Sequence, residues 1–219
     1  MAVYQLDKNY VAFPDPHGGN PNGLIAIGGD LTVEWLLLAY SNGIFPWFAY
    51  KVWPVIKWYC PLDRFVIFPE KIHVSHSMRT LMNQHVYHVT FNRDFNGVIH
   101  GCSKVNGRDH NIGAWLGHRM IAAYVELHRQ GYAASVEVWQ GDKLVGGLYG
   151  VTIGKSFFGE SMFSLRPSAS KLALISLAQL MQAHGGNLID CQFETPHLKS
   201  MGGEHISYDR YMQIISETD

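Results

Sequence analysis

Between Ser135 and Phe193 the chain writes out a run of elements that leaves few folds open. Ser135 to Trp139 and Leu144 to Ile153 alternate around the turn Gln140-Gly141-Asp142, the pattern of a β-hairpin. Gly154-Lys155 turns the chain into a third strand, FFGESMFS, at Phe157 to Ser164. Ser168 or Ser170 is placed to cap a helix whose Leu174, Leu177 and Met181 share one face, and Gly185-Gly186 ends it. Asn187 to Phe193 is then a further strand, and a helix from about Gly117 to Arg129 precedes the hairpin. The order helix, hairpin, strand, helix, strand predicts an α+β fold, with a mostly antiparallel sheet covered by helices.

Upstream the texture changes. The first sixty residues are rich in Pro, Gly and Trp, and Pro14 to Gly23 reads as turns and loop. A short helix follows, with Thr32 as its N-cap, Trp35, Leu38 and Ala39 as its apolar stripe and Asn42-Gly43 as its stop. The sequence predicts a small domain over residues 1–61 and a larger one over 62–219, with the boundary near Pro61. Within the larger one, Arg64 to Phe68 and Val86 to Phe91 read as strands flanking a helix around Ser75 to Gln84. Asp94 caps another helix toward Cys102, and Ser103 to Gly113 reads as a polar loop.

Composition excludes several function classes. With 47% hydrophobic and 16% charged residues and a net charge of -1, the chain is globular, and it lacks the excess of Lys and Arg that non-specific coating of nucleic acid requires. A localised nucleic-acid contact stays open. Cys60, Cys102 and Cys191 are odd in number and widely spaced, which fits a reducing compartment; cytoplasm is the expected location. No run of about 18 apolar residues suggests a membrane span. His73/His76 and His85/His88 have an i, i+3 spacing but no Cys or carboxylate set beside them, so no metal is expected there. There is no P-loop and no Gly-x-Ser-x-Gly elbow.

The chemistry concentrates on two strands. Glu160, Asp190 and Gln192 stand among aromatic and aliphatic residues, where polar groups need partners. A strand sends Asp190 and Gln192 to one face and Cys191 to the other. An ionised Asp accepts hydrogen bonds and a Gln both donates and accepts, so the pair suits handling of an attacking amine, with pairing and strand capping as the structural alternative. Cys191 as a covalent nucleophile is the rival reading, with no His next to it in sequence. Leu148, Phe157, Leu174, Leu177, Met181 and Ile189 are core by periodicity, or the lining of a pocket for a large uncharged side chain. Trp47 and Trp115 sit near Gly or Pro in loops, as anchors between layers or as platforms on which a base can stack.

The predicted architecture resembles that of acyl-CoA-dependent N-acetyltransferases, but the pyrophosphate loop of that fold, Arg/Gln-x-x-Gly-x-Gly/Ala opening a helix, has no match; Gln182 to Asn187 lies at a helix end. A closer likeness covers residues 5 to 215. The segments NPNGLIAIGGDLTVEWLLLAYSNGIFPWF, SVEVW, LVGGLYGV, FFGESMFS, ASKLAL and HGGNLIDCQ together resemble the leucyl/phenylalanyl-tRNA-protein transferases of bacteria. That resemblance implies transfer of leucine or phenylalanine, and less well methionine, from aminoacyl-tRNA to a protein's amino-terminal Arg or Lys, which marks the protein for degradation. It implies no metal and no coenzyme. Carried onto this chain, it makes Gln192 the holder of the acceptor amine, Asp190 its polarising partner and Glu160 an orienting group for the aminoacyl end. Trp47 and Trp115 would hold the terminal adenosine, and the six apolar residues above the amino-acid side chain. Relatives can carry Met or Phe at Leu148, Leu177 and Met181, so the pocket is expected to be reshaped. They can also carry several Lys and Arg on the helix that here has His76 and Arg79, so fewer contacts to the tRNA backbone are expected.

Overall fold

Residues 3–47, 55–105 and 116–217 are described by the structure, a computed structural model. The Pro- and Gly-rich start of the chain builds a four-stranded sheet, which its sequence did not announce. Its strands are β1 (Tyr4–Leu6), β2 (Leu24–Gly28), β3 (Phe45–Trp47) and β4 (Lys57–Tyr59), in the order β1-β2-β4-β3. Three of the four are three residues long, too short for a period-2 pattern to register. Helix α1 (Val33–Ser41) crosses between β2 and β3, with the Thr32 hydroxyl accepting from the Trp35 amide as the cap. The buried stripe of α1 is Trp35, Leu36, Ala39 and Tyr40, whereas Leu38, expected in the core, faces outward. Trp35 stacks on Trp58 at 6.0 Å, and Phe13 meets both rings edge-on. This rotation of α1 sends the Tyr40 hydroxyl out of the small sheet and into the larger one.

The larger sheet has seven strands: β5 (Asp63–Ile67), β6 (His88–Phe91), β7 (Ala133–Gln140), β8 (Lys143–Ile153), β9 (Ser156–Ser164), β10 (Leu188–Gln192) and β11 (Glu204–Ser207). Their order is β11-β5-β10-β9-β8-β7-β6, and every pairing is antiparallel except β9 with β10. That parallel pair follows from the crossover helix between them, α5 (Ala169–Ala183). Around the sheet lie α2 (His76–Asn83), α3 (Phe95–Lys104), α4 (His118–Arg129), α6 (Pro196–Ser200) and α7 (Tyr208–Ile215). The α+β fold with a helix-covered, mostly antiparallel sheet is as the sequence predicts. Two local expectations change. Ser168 precedes α5 in a left-handed conformation and makes no capping bond through its side chain; α3 continues to Lys104, while 106–113 of the expected polar loop lie outside the described residues. None of the described helices is long and apolar enough to cross a membrane.

Alternation on the strands divides the apolar residues between two cores. Phe158 and Tyr149 face Trp35, Trp58, Tyr124 and Tyr211, so that this core joins the small sheet to the large one. Phe157, Leu148 and Ile189 face the other way and pack under α5 with Leu174 and Leu177. Burying one such side chain contributes about 1.5–3 kcal/mol. The alternation breaks at two places, and both matter for the site. Opposite β8, Tyr149 pairs with Ser161 and Gly150 with Gly159, which leaves Glu160 as the extra residue of a bulge. Gly150 is required here, because a Cβ would run into the Phe158 carbonyl. Opposite β5, Asp190 pairs with Val66 and Gln192 with Phe65, a second bulge, with Gln192 at a φ of 65°.

Candidate active site

The two bulges face each other where the sheet comes apart. The parallel register of β9 and β10 runs from Ser156↔Leu188 to Phe158↔Asp190, and beyond it the strands carry Glu160 and Gln192 along a cavity of about 780 Å3. Bulges re-aim side chains and end pairing, and here they do both. Leu148, Phe157, Leu174, Leu177 and Ile189 form an apolar wall of this cavity, and Glu160, Gln192, Trp47 and Leu116 also border it. Trp47, at the end of β3, is 41% exposed. Met181 lines a neighbouring cavity of about 350 Å3, which shares Phe157 and Leu177 with the main one. Trp115 lies outside the described residues. His76 and Arg79 are exposed on α2, where Arg79 Nη1 donates to the Val74 carbonyl at 2.8 Å.

Glu160 is gripped on three sides. Its Oε1 accepts from the Tyr40 hydroxyl at 2.6 Å and from Gln192 Nε2 at 2.9 Å, while Oε2 accepts from the Tyr124 hydroxyl at 2.6 Å. The two tyrosine oxygens also lie 2.7 Å apart. Two hydroxyl protons cannot serve three oxygen-to-oxygen contacts, so the closed ring is complete only when the carboxyl carries a third proton. Burial acts in the same direction: it raises the Glu160 pKa from 4.5 to about 7, against the lowering effect of the Tyr124, Tyr40 and Gln192 hydrogen bonds. Tyr40 and Tyr124 are pushed well above the usual phenol range, first by burial and then by the Glu160 charge.

Asp190 has no exposed surface and sits behind the cavity wall. Its carboxylate accepts from Arg64 Nε at 2.9 Å, Arg64 Nη2 at 2.6 Å, the Tyr211 hydroxyl at 2.9 Å and the Gln192 backbone N–H at 2.8 Å. Asp190 and Gln192 are thus linked, through the backbone amide rather than through their side-chain ends. Cys191 and Gln192 both border the cavity. Among the described residues, no three His, Cys, Asp or Glu side chains converge to form a metal site.

Residues 66–216 match the family model "Leucyl/phenylalanyl-tRNA protein transferase", and residues 29–62 match the model of that family's N-terminal domain. The chain belongs to the leucyl/phenylalanyl-tRNA protein transferase family. Relatives bearing the name leucyl/phenylalanyl-tRNA--protein transferase include that of Pectobacterium carotovorum subsp. carotovorum strain PC1, 48% identical over 99% of this chain and 91% of the relative. Those of Hydrogenovibrio crunogenus and Flavobacterium psychrophilum are each 45% identical, over 98% and 94% of this chain and 83% and 97% of theirs. As a member of the leucyl/phenylalanyl-tRNA protein transferase family, the protein is an aminoacyltransferase.

Four buried partners of the candidate site carry no plain signal in the sequence: Tyr40, Tyr124, Arg64 and Tyr211. The nearest to one is Arg64, a cation opening the apolar strand RFVIF; the tyrosines look like ordinary members of helical stripes. Cys191 fits poorly as a nucleophile, because burial, with the Asp190 charge beside it, pushes its thiol far from the thiolate state. Cys191→Ala should keep transfer within about twofold of the parent in a labelled aminoacyl-tRNA assay. A loss of two orders of magnitude would make the thiol a participant.

Proposed function

We propose that this enzyme transfers leucine or phenylalanine, and less well methionine, from aminoacyl-tRNA to the amino-terminal Arg or Lys of acceptor proteins, and that it acts in the cytoplasm to mark them for degradation. The observation that carries this reading is the join of an apolar wall to an amine-handling edge: one cavity is bordered both by Leu148, Phe157, Leu174, Leu177 and Ile189 and by Glu160 and Gln192. A Leu or Phe side chain suits the wall, with Met181 behind it in the adjoining cavity. Trp47, together with Trp115, provides stacking for the terminal adenosine, and His76 and Arg79 provide contacts to the tRNA backbone.

In the step itself the acceptor's amine nitrogen attacks the ester carbonyl carbon. The new C–N bond forms, the C–O bond to the ribose breaks, and the amine proton ends on the ribose oxygen. The ester is already activated, so positioning and proton handling are what the protein must supply. Gln192 gives its Nε2 hydrogen to Glu160, which leaves its carbonyl oxygen to accept from the acceptor amine. Asp190, by accepting from the Gln192 N–H, polarises and fixes that residue. Glu160 orients the aminoacyl end. The reading is tested by incubating the intact protein with radiolabelled Phe-tRNA or Leu-tRNA and a protein that begins with Arg. Label should enter the polypeptide, and less of it when the acceptor begins with a neutral residue; no transfer at any salt concentration defeats the reading.

A further inference from the structure

We propose that Arg64 and Tyr211 are positioning residues for acyl transfer: through Asp190 they hold the bend that presents Gln192, and through Phe45 the same guanidinium holds the strand that carries Trp47. The proposal rests on the roles given to Gln192 and Trp47 above and adds what sets the distance between them. Arg64 lies on β5 with no exposed surface. It grips Asp190 with two nitrogens, and its guanidinium lies over two rings, 5.0 Å from the centroid of Phe45 and 4.8 Å from that of Tyr211. Phe45 is two residues from Trp47 on β3, and Tyr211 belongs to α7. One buried cation therefore ties β3, β5, β10 and α7 together directly behind the cavity.

Two observations make this a device for position rather than for stability. Arg64 Nη1 has no hydrogen-bond partner among the described residues, and a buried ion pair with an orphaned donor is a poor way to hold a core, where apolar residues of similar volume do as well or better. Gln192 adopts a left-handed φ of 65°, a conformation that a non-glycine residue keeps only when neighbours hold it. The hold on it from behind the wall is the Asp190 carboxylate, at 2.8 Å from the Gln192 amide. Across the bend the Phe193 N–H also donates to the Cys191 carbonyl at 2.7 Å; without the anchor on Asp190 this short bond alone holds the backbone at Gln192, the bend loosens, and the carboxamide shifts from Glu160.

Tyr211→Phe is the mild test, since it keeps the ring over Arg64 and removes the hydroxyl, which donates to Asp190 at 2.9 Å and accepts from Arg64 Nη2 at 3.4 Å. We expect kcat to fall about tenfold, KM for aminoacyl-tRNA to stay unchanged, and the Gln192 backbone amide to exchange its hydrogen faster. Arg64→Lys keeps a charge but loses the two-pronged grip and the planar stack. It should lower kcat about a hundredfold and also raise KM for aminoacyl-tRNA, because β3 is released. Thermal denaturation of both variants corrects for unfolded protein. Parental kcat per folded molecule in Tyr211→Phe, or parental exchange at Gln192, overturns the proposal while leaving the transfer reaction standing. If the parent chain itself transfers nothing, the reading of the reaction fails, and this proposal fails with it.

Discussion

Replacing Asp190 by Ala should remove about 3–5 kcal/mol of folding stability, as well as transfer activity, because it leaves the buried Arg64 guanidinium without its counter-charge. From the sequence alone, Asp190→Ala is expected to abolish transfer with tRNA binding nearly intact. The geometry adds the stability loss, since the carboxylate has no exposed surface and serves four donors at once. A paired variant separates the two effects. Arg64→Met with Asp190→Leu replaces both charges by apolar groups of similar size, which for buried ion pairs is neutral or stabilising. Denaturant unfolding should therefore show the double variant recovering most of the loss, while transfer stays at least a hundredfold below the parent. Recovery of activity along with stability would reduce Asp190 to a core residue.

Much of this architecture can be read in the chain, and what cannot has identifiable causes. The hairpin around Gly141, the Thr32 and Asp94 caps and the β9-α5-β10 order are local signals, in which a few neighbouring residues determine the result. Glu160, Asp190 and Gln192 stood out because a polar group in an apolar strand is conspicuous by itself. The bulges at Glu160 and Gln192 did not, since an extra residue in a strand depends on the partner's register and leaves no mark in FFGESMFS or LIDCQ. Tyr40 and Tyr124 are separated from Glu160 by 120 and 36 residues, and each looks like one more aromatic on a helix. Their meaning exists only in the fold. For Arg64, the charge was visible, but its counter-charge stands 126 residues away.

The Glu160 ring makes the enzyme's pH response a direct test of its place in the reaction. Burial raises this carboxyl from 4.5 to about 7, so between those values the native chain holds a proton that the unfolded chain has released. Stability from this group is therefore fully present below about pH 4.5 and is lost as pH rises through about 7, a total on the order of 3 kcal/mol. Glu160→Gln, which keeps the shape and cannot ionise, should flatten that decline in denaturant titrations from pH 5 to 8. Activity should move the opposite way. Gln192 Nε2 donates to the carboxylate, so the rate of transfer rises through about pH 7 as Glu160 ionises. The acceptor's own amine, with a pKa of about 8, adds a second limb. Tyr40→Phe distinguishes them: the carboxylate loses a 2.6 Å donor, its ionisation becomes harder, and the lower limb should shift upward by about one pH unit while the amine limb stays in place. If both limbs of the Tyr40→Phe profile coincide with the parent's, the pH dependence belongs to the substrate alone, and Glu160 serves the site by shape and hydrogen bonding, with no part in moving the proton.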